Sequence, residues 1–524
     1  MRTQPIIAEE LVADIPALLT KQRRSDLLLF IGIFIMVISI TPLLVLGGMA
    51  IGFGLVVGMV AVLIIAALVI RRPVTGFYML AVCVVLIDQA PLFTPVLTDR
   101  LYIFYWPTQL EGLIDRPIGF FALFVVLMLV CHNLVKRRKL LQGNALLLPF
   151  VLYLLCVVIG VVHGLTSGGN LKTIVLEIRP FWYMFLSYML AYNLVTRKEH
   201  IRNFLWIVIL GAGVKALQGV YIYLIVLKGS LLGHREIMAH EESFFFIALI
   251  LLVVMFCLHH RYRPQLIAAL LVLPFLIVAL IANQRRADYI ALLIGILVAW
   301  TLIFLIKPQS RKGLAIGMVI CALIGGIYVA AFAGKSGSFA EPARAIVSIF
   351  HPDPADASSN LYRTIENYDL KYTVRQNPLL GLGFGKPFLQ PVTLPNILVE
   401  DPYYLYVPHN TIYWVWMRLG ALGYSALWYL VGAIIIRGCL IARRLRDPYL
   451  QLMAVYIVAV TCMEIIVAYA DYQLFFYRNV IYLGLLVGIL MKLPLLDKKD
   501  EVVVHEASGD VSKLPASNVG RRHA

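Results

Sequence analysis

The chain has 524 residues, of which 61% are hydrophobic and only 14% charged, with a net charge of +16 and a mean hydropathy of +0.86. Soluble domains carry about a quarter charged residues, so this much apolar surface excludes a water-soluble core and indicates an integral membrane protein. The basic residues sit in short clusters between apolar stretches, which is the pattern of cytoplasmic loops and argues against nucleic acid as a partner.

Residues 1–26 are too polar for a signal sequence and form an expected cytoplasmic N-terminal segment. Apolar stretches of about 20 residues then recur, each long enough to cross a bilayer as a helix. Eleven are expected within 27–332: 27–47, 50–70, 75–93, 118–136, 145–163, 175–195, 202–226, 243–259, 264–283, 287–306 and 312–332. A long polar segment, 333–410, follows. Three more spans, 411–436, 449–471 and 475–496, bring the total to about fourteen, and a polar tail, 497–524, is expected to be disordered. Short alternating strands of the outer-membrane barrel type are absent from this pattern. The expected fold class is therefore an all-α polytopic membrane protein without internal repeats.

Lysine and arginine set the orientation. With Lys21, Arg23 and Arg24 inside, the clusters Arg71–Arg72, Lys136–Lys139, Arg197–Lys198, Lys307 to Lys312 and Arg437 to Arg446 all fall on the cytoplasmic side. Both termini are then cytoplasmic and 333–410 is outside. The seven cysteines lie in or beside apolar stretches without metal-ligand spacing, so neither a disulfide nor a metal is expected.

Within the long segment, "SSNLYRTIENYDLKYTVRQNP" reads as an amphipathic helix with Leu361, Ile365, Tyr368 and Tyr372 on one stripe. Pro378 ends it. Arg363 points away from the stripe and Arg375 lies near its edge. "NPLLGLGFGKPF" then gives a glycine-rich turn where backbone can approach a neighbour closely. In "YVPHNTIYWVWMRLGALGY", His409 and Asn410 stand at the outer end of a span, and Arg285 and Arg286 stand at another outer turn. Each has a plain structural reading: Asn410 as a helix cap, the arginines as snorkelling cations, Gly420 and Gly423 as a close-packing pair. Together they suggest more. A histidine at a helix start tends to be neutral and able to accept a proton, and guanidinium groups make paired hydrogen bonds to phosphate oxygens. Charges inside spans face cavities or one another. Glu177 and Arg179, near the outer end of theirs, are candidates for glycan binding, while Lys215 and Glu464 suit an internal pair. Arg418 falls out of phase with His409 on a helix.

The stretch "PHNTIYWVWMRLGALG" resembles the His-Asn…Gly-x-x-Gly signature of the bacterial O-antigen ligase and O-antigen polymerase superfamily. "LYRTIENYDLKYTVRQNPLLGLGFG" resembles that family's Arg…Pro-x-x-Gly-x-Gly segment, and "NQRRADYIALL" its earlier arginine at a span start. The resemblance covers roughly 175–470. It implies a C-type glycosyltransferase-like architecture in the bacterial inner membrane. The implied enzyme moves a glycan from undecaprenyl diphosphate to an acceptor hydroxyl on the periplasmic face, without a metal or cofactor. The acceptor is another lipid-linked repeat for a polymerase and lipid A–core for a ligase, with other polysaccharide-assembly proteins as partners. By match, Arg286, Arg363 and His409 take the catalytic places, with Arg285 as the alternative to Arg286. Arg285, Asn410, Arg179, Glu177 and Arg375 are the substrate-binding candidates. The competing readings are a transporter or flippase of lipid-linked oligosaccharide and a protein O-oligosaccharyltransferase.

Overall fold

A computed structural model describes residues 53–89, 103–104, 115–231, 236–259, 263–335, 337–348, 351, 354–395 and 403–508. All regular structure among the described residues is helical. The chain divides into two units, Met1–Arg72 and Pro73–Ala524. The first contributes one described helix, α1 (Phe53–Arg71), where a span over 50–70 is expected. The expected span 27–47 lies outside the described residues.

The second unit holds α2 (Val74–Leu86), α3 (Pro117–Val135), α4 (Leu147–Thr166), α5 (Leu171–Leu194), α6 (Lys198–Tyr221), α7 (His240–His259), α8 (Arg263–Ala282), α9 (Arg286–Ile306) and α10 (Arg311–Phe332). Two helices of the long segment follow, α11 (Glu341–Val347) and α12 (Pro354–Gln376), then α13 (Thr411–Arg444), α14 (Pro448–Ala470) and α15 (Tyr477–Ser508). Among the described residues, eleven helical segments are long and apolar enough to cross a membrane. The protein is an all-α polytopic membrane protein. α15 packs along α5, and α14 lies between α9 and α13. All seven cysteines are free.

Several expectations are corrected. The span expected over 75–93 is the shorter α2, because the chain turns extended at Ile87 and Asp88 swings inward to accept from Lys215 Nζ at 2.6 Å. Lys215 therefore pairs with Asp88 and, at 3.7 Å, Glu242, rather than with Glu464. α13 runs eight residues past the expected end at 436. α15 stays helical to Ser508, through the first part of a tail expected to be disordered. The rest of that tail lies outside the described residues.

Candidate active site

The site is built on two helices that run side by side in the same direction. Asn410 caps α13 by accepting from Tyr413 N at 3.0 Å, and its Nδ2 donates to Asn367 Oδ1 on α12 at 3.1 Å. One residue back along each of the two segments, Glu366 meets His409. One carboxylate oxygen takes the His409 backbone N–H at 3.1 Å and the other contacts ring Nδ1 at 3.1 Å. Farther along, Lys371 Nζ lies 5.3 Å over the Tyr413 ring. Glu366 is buried, while His409 keeps about a fifth of its surface open. A carboxylate at Nδ1 accepts the ring proton there, so in the neutral form of the ring Nε2 is the lone-pair nitrogen. The ring is flanked by Tyr362, edge-on at 5.6 Å, and by Tyr472 at 5.2 Å.

What holds this pair in register lies below it. α13 breaks at Gly420, whose φ of 61° and ψ of −164° leave the helical region. The break frees backbone groups, and the glycine-rich turn after α12 takes them up. Leu382 N donates to Met417 O at 2.7 Å and Gly383 N to Arg418 O at 3.1 Å; Ala421 N donates to Pro378 O at 2.8 Å. Gly381, Gly383 and Gly385 all have positive φ, which glycine alone adopts without strain. Arg418 is fully buried beneath the turn and donates to the carbonyls of Gly383, Lys386 and Tyr406 at 3.0, 2.6 and 2.9 Å. Its counter-ion is Glu177, at 2.5 Å, which also accepts from Gly385 N at 2.6 Å. A buried charge pair is tolerable when its other polar atoms are hydrogen-bonded, and here the terminal guanidinium nitrogens of Arg418 and both Glu177 oxygens are, while Arg418 Nε is not.

Beside the His409 pair, a cavity of about 570 Å³ opens between the start of α9, α11 and α12. Arg285, Arg286 and Arg363 line it, with Arg344, Ser348, His351 and Asp471. The arginines are not equivalent. Arg285 is neutralised by Asp471 and by Glu236 at 3.3 Å, and it also reaches His240. Burial works against the charge of Arg285, but Asp471 and Glu236 raise its pKa above the usual value. Burial likewise pushes the Asp471 carboxyl up, yet His240 and Arg285 outweigh it and hold that carboxyl well below the usual range. Arg286, the first residue of α9, donates to Ser348 Oγ at 3.1 Å and Asn360 Oδ1 at 3.5 Å. Arg363 makes no ion pair among the described residues. Burial lowers its pKa; Asp471 opposes this, and Arg285 and Arg286 reinforce it. An anion entering the cavity would reverse that strain.

The structure thus brings Arg285, Arg286 and Arg363 onto one cavity, with His409 and Asn410 one residue layer away: the Tyr472 ring against His409 belongs to the neighbour of the cavity-lining Asp471. It does not bring the other candidates there. Glu177 is enclosed under the glycine turn. Arg179 pairs with Asp115 at 3.3 Å. Arg375 is exposed on the far face of α12. Sequence reasoning missed Glu366, Asp471, Glu236, His240 and Arg344. For Glu366 a signal existed: it lies three residues after Arg363 and hence on the same helix face. Asp471 and His240 are far from the others in sequence, and nothing local marks them.

Residues 269–429 match the family model described as O-antigen ligase. That stretch is similar to the O-antigen ligase family's domain. It contains Arg285, Arg286, Arg363, Glu366, His409 and the whole glycine turn with Gly420; Glu236, His240 and Asp471 lie outside it. The chain is also 26% identical over 166 residues to a protein named O-antigen ligase from Salmonella typhimurium (strain LT2), covering 29% of this chain and 35% of that relative. The stretch matched by the O-antigen ligase model therefore holds most of the cavity lining.

Proposed function

We propose that this protein is a glycosyltransferase of the O-antigen ligase or polymerase type, moving a glycan from undecaprenyl diphosphate to an acceptor hydroxyl at the periplasmic face of the inner membrane. The observation that carries this is the juxtaposition of Arg286 and Arg363 on one cavity with a carboxylate-held histidine beside it. The two guanidinium groups grip the diphosphate and take up the negative charge that develops on it as its bond to the sugar breaks. The acceptor oxygen forms the new bond to the anomeric carbon. Its proton passes to His409 Nε2, and the lipid diphosphate departs as the leaving group. Glu366 keeps Nδ1 protonated and fixes the ring, so that Nε2 faces the reacting oxygen. In this reading the charge balance is met by protein groups without a metal.

The test is glycan transfer in proteoliposomes with a defined lipid-linked donor. His409→Gln keeps a polar side chain of similar reach but cannot take the proton. General-base assistance is worth about 10²–10⁴-fold, so turnover should fall by that order while donor binding stays near wild type. Wild-type turnover in His409→Gln would remove the histidine from the chemistry. The acceptor separates polymerase from ligase: a deletion strain that accumulates single lipid-linked repeats marks a polymerase, and one that accumulates unattached long polymer marks a ligase.

A further inference from the structure

The amphipathic helix α12 is turned the opposite way from a helix of a soluble domain. Its carboxylates Glu366 and Asp369 are buried against the protein, while Leu361, Tyr368 and Tyr372 are 61%, 54% and 38% exposed. The exposed stripe ends in the tip of the following turn, with Leu379 66% and Leu380 42% exposed. The charged side chains among the exposed residues of 357–380 are Lys371 and Arg375, both cations.

The direction of α12 says what lies against this stripe. Contacts 366 to 409, 367 to 410, 371 to 413 and 378 to 421 advance together along α12 and α13. The two helices therefore descend side by side toward the bilayer. Below the break, α13 from Gly420 to Arg443 gives about 35 Å of helix, enough for a hydrocarbon core of about 30 Å. Gly420 thus stands at the upper edge of that core. The turn after α12 reaches the same level: Leu422 N donates to Leu379 O at 3.4 Å, and Phe384 N to Gly160 O in the last two turns of the span α4 at 3.2 Å. Leu379 is continuous with Leu422, which is 54% exposed on the lipid-facing side of α13.

We propose that the outer stripe of α12 and the Leu379–Leu380 tip form a membrane-seating surface. Its partner is the phospholipid of the leaflet nearest the long segment. The two leucines enter the acyl boundary, Tyr368 and Tyr372 sit among the headgroups as interfacial aromatics do, and Lys371 and Arg375 meet the phosphates. This gives Arg375 a place that the cavity does not, and it fixes Arg363 and His409 at a set height above the bilayer.

The test reads depth and does not depend on glycan transfer. Nitroxide labels are placed at Leu379→Cys, Tyr372→Cys and, as the high control, Ser358→Cys, in a variant without the seven native cysteines. The protein is reconstituted in phosphatidylethanolamine–phosphatidylglycerol vesicles. Labels at 379 and 372 should be relaxed more by dissolved oxygen than by a water-soluble nickel chelate, with 379 the deeper, and the label at 358 should show the reverse. A label at 379 as accessible to the nickel chelate as that at 358 would overturn the proposal. So would labels at 379 and 372 shielded from both agents and broadened by a nearby label, which would mean a second copy of the chain covers the stripe. As an independent arm, Lys371→Glu with Arg375→Glu should move the label at 379 toward water in anionic phosphatidylglycerol vesicles and leave it unchanged in zwitterionic phosphatidylcholine; an equal effect in both lipids would overturn the pairing of these cations with anionic headgroups.

Discussion

Glu366 holds His409 twice, through ring Nδ1 and through the backbone N–H, both at 3.1 Å. Glu366→Gln preserves the shape and the backbone contact but can present an amide N–H to Nδ1, which favours the wrong tautomer. Turnover should fall roughly 10²-fold or more, while the KM for donor stays within a few-fold. A variant with normal turnover, or one that loses donor affinity instead, would mean that Glu366 only supports the fold.

The arginines should separate by function. Lysine keeps the charge but cannot make the paired contact to phosphate oxygens. Arg363→Lys and Arg286→Lys should each lose most transfer with normal membrane yield. Arg285 is already committed to Asp471 and Glu236, so Arg285→Lys should show its main defect in thermal stability. Full activity of Arg363→Lys would reject the clamp, and inactivity of Arg285→Lys alone at wild-type stability would move the assignment by one residue.

Asp471 gives an acid limb whose sign follows from its environment. Its folded pKa is depressed because His240 and Arg285 outweigh its burial. The unfolded chain then takes up the proton first, so the contribution is full above the ordinary carboxylate value of about 4 and is lost as pH falls through the lower folded value. Asp471 should cause no loss of melting temperature between neutrality and about pH 5. Asp471→Asn leaves Arg285 with one carboxylate fewer and should cost about 3–5 kcal/mol at neutral pH, as loss of one member of a buried pair does. An unchanged melting temperature in detergent would contradict the pairing.

Gly420 and Gly381 face each other so closely that a Cβ on either would lie 2.5 Å from the other's backbone nitrogen. Both also have positive φ. Gly420→Ala and Gly381→Ala should each cut the yield of monodisperse protein in size-exclusion chromatography, since the strain and the clash add. Gly432, on the same helix with open space around its Cα, is the control: Gly432→Ala should be neutral or gain up to about 1 kcal/mol.

Topology is checked by labelling with an impermeant thiol reagent. A cysteine at the exposed Thr364 should react in intact spheroplasts, and one at Arg444 should react only after lysis. The opposite pattern would invert the orientation.

Hydropathy is a local property, and several of the described spans were legible to within a few residues: 118–136 against Pro117–Val135, 287–306 against Arg286–Ile306, 449–471 against Pro448–Ala470. The break near Asn283 was legible too, and the structure places Gln284 there at positive φ. Periodicity found α12 and its stripe, but a 3.6-residue repeat reports that two faces differ, not which face meets the protein. Partner choice was the least legible. Lys215 takes Asp88, and Glu177 takes Arg418 under the glycine turn, because both pairings depend on which helices adjoin. Arg286 and Arg363 reach the cavity; Arg179, Arg375 and Glu177 do not, although all five stood near the expected outer rim.

The shared hydrogen bonds between the glycine turn and the opened helix make chain length itself a constraint. From Arg363 to Gly385 every residue is counted against α13: one residue added between them would slide Glu366 off His409 or pull Leu382 off Met417. Farther on, the ties run back to α12 instead: Leu389 N donates to Thr373 Oγ1 at 3.0 Å and Val392 N to Asp369 Oδ1 at 3.2 Å. The interval from Arg363 to Gly385 is therefore expected to tolerate substitution but not insertion or deletion, because its length sets where Glu366 falls against His409 once Leu382 and Gly383 are fixed on the opened helix.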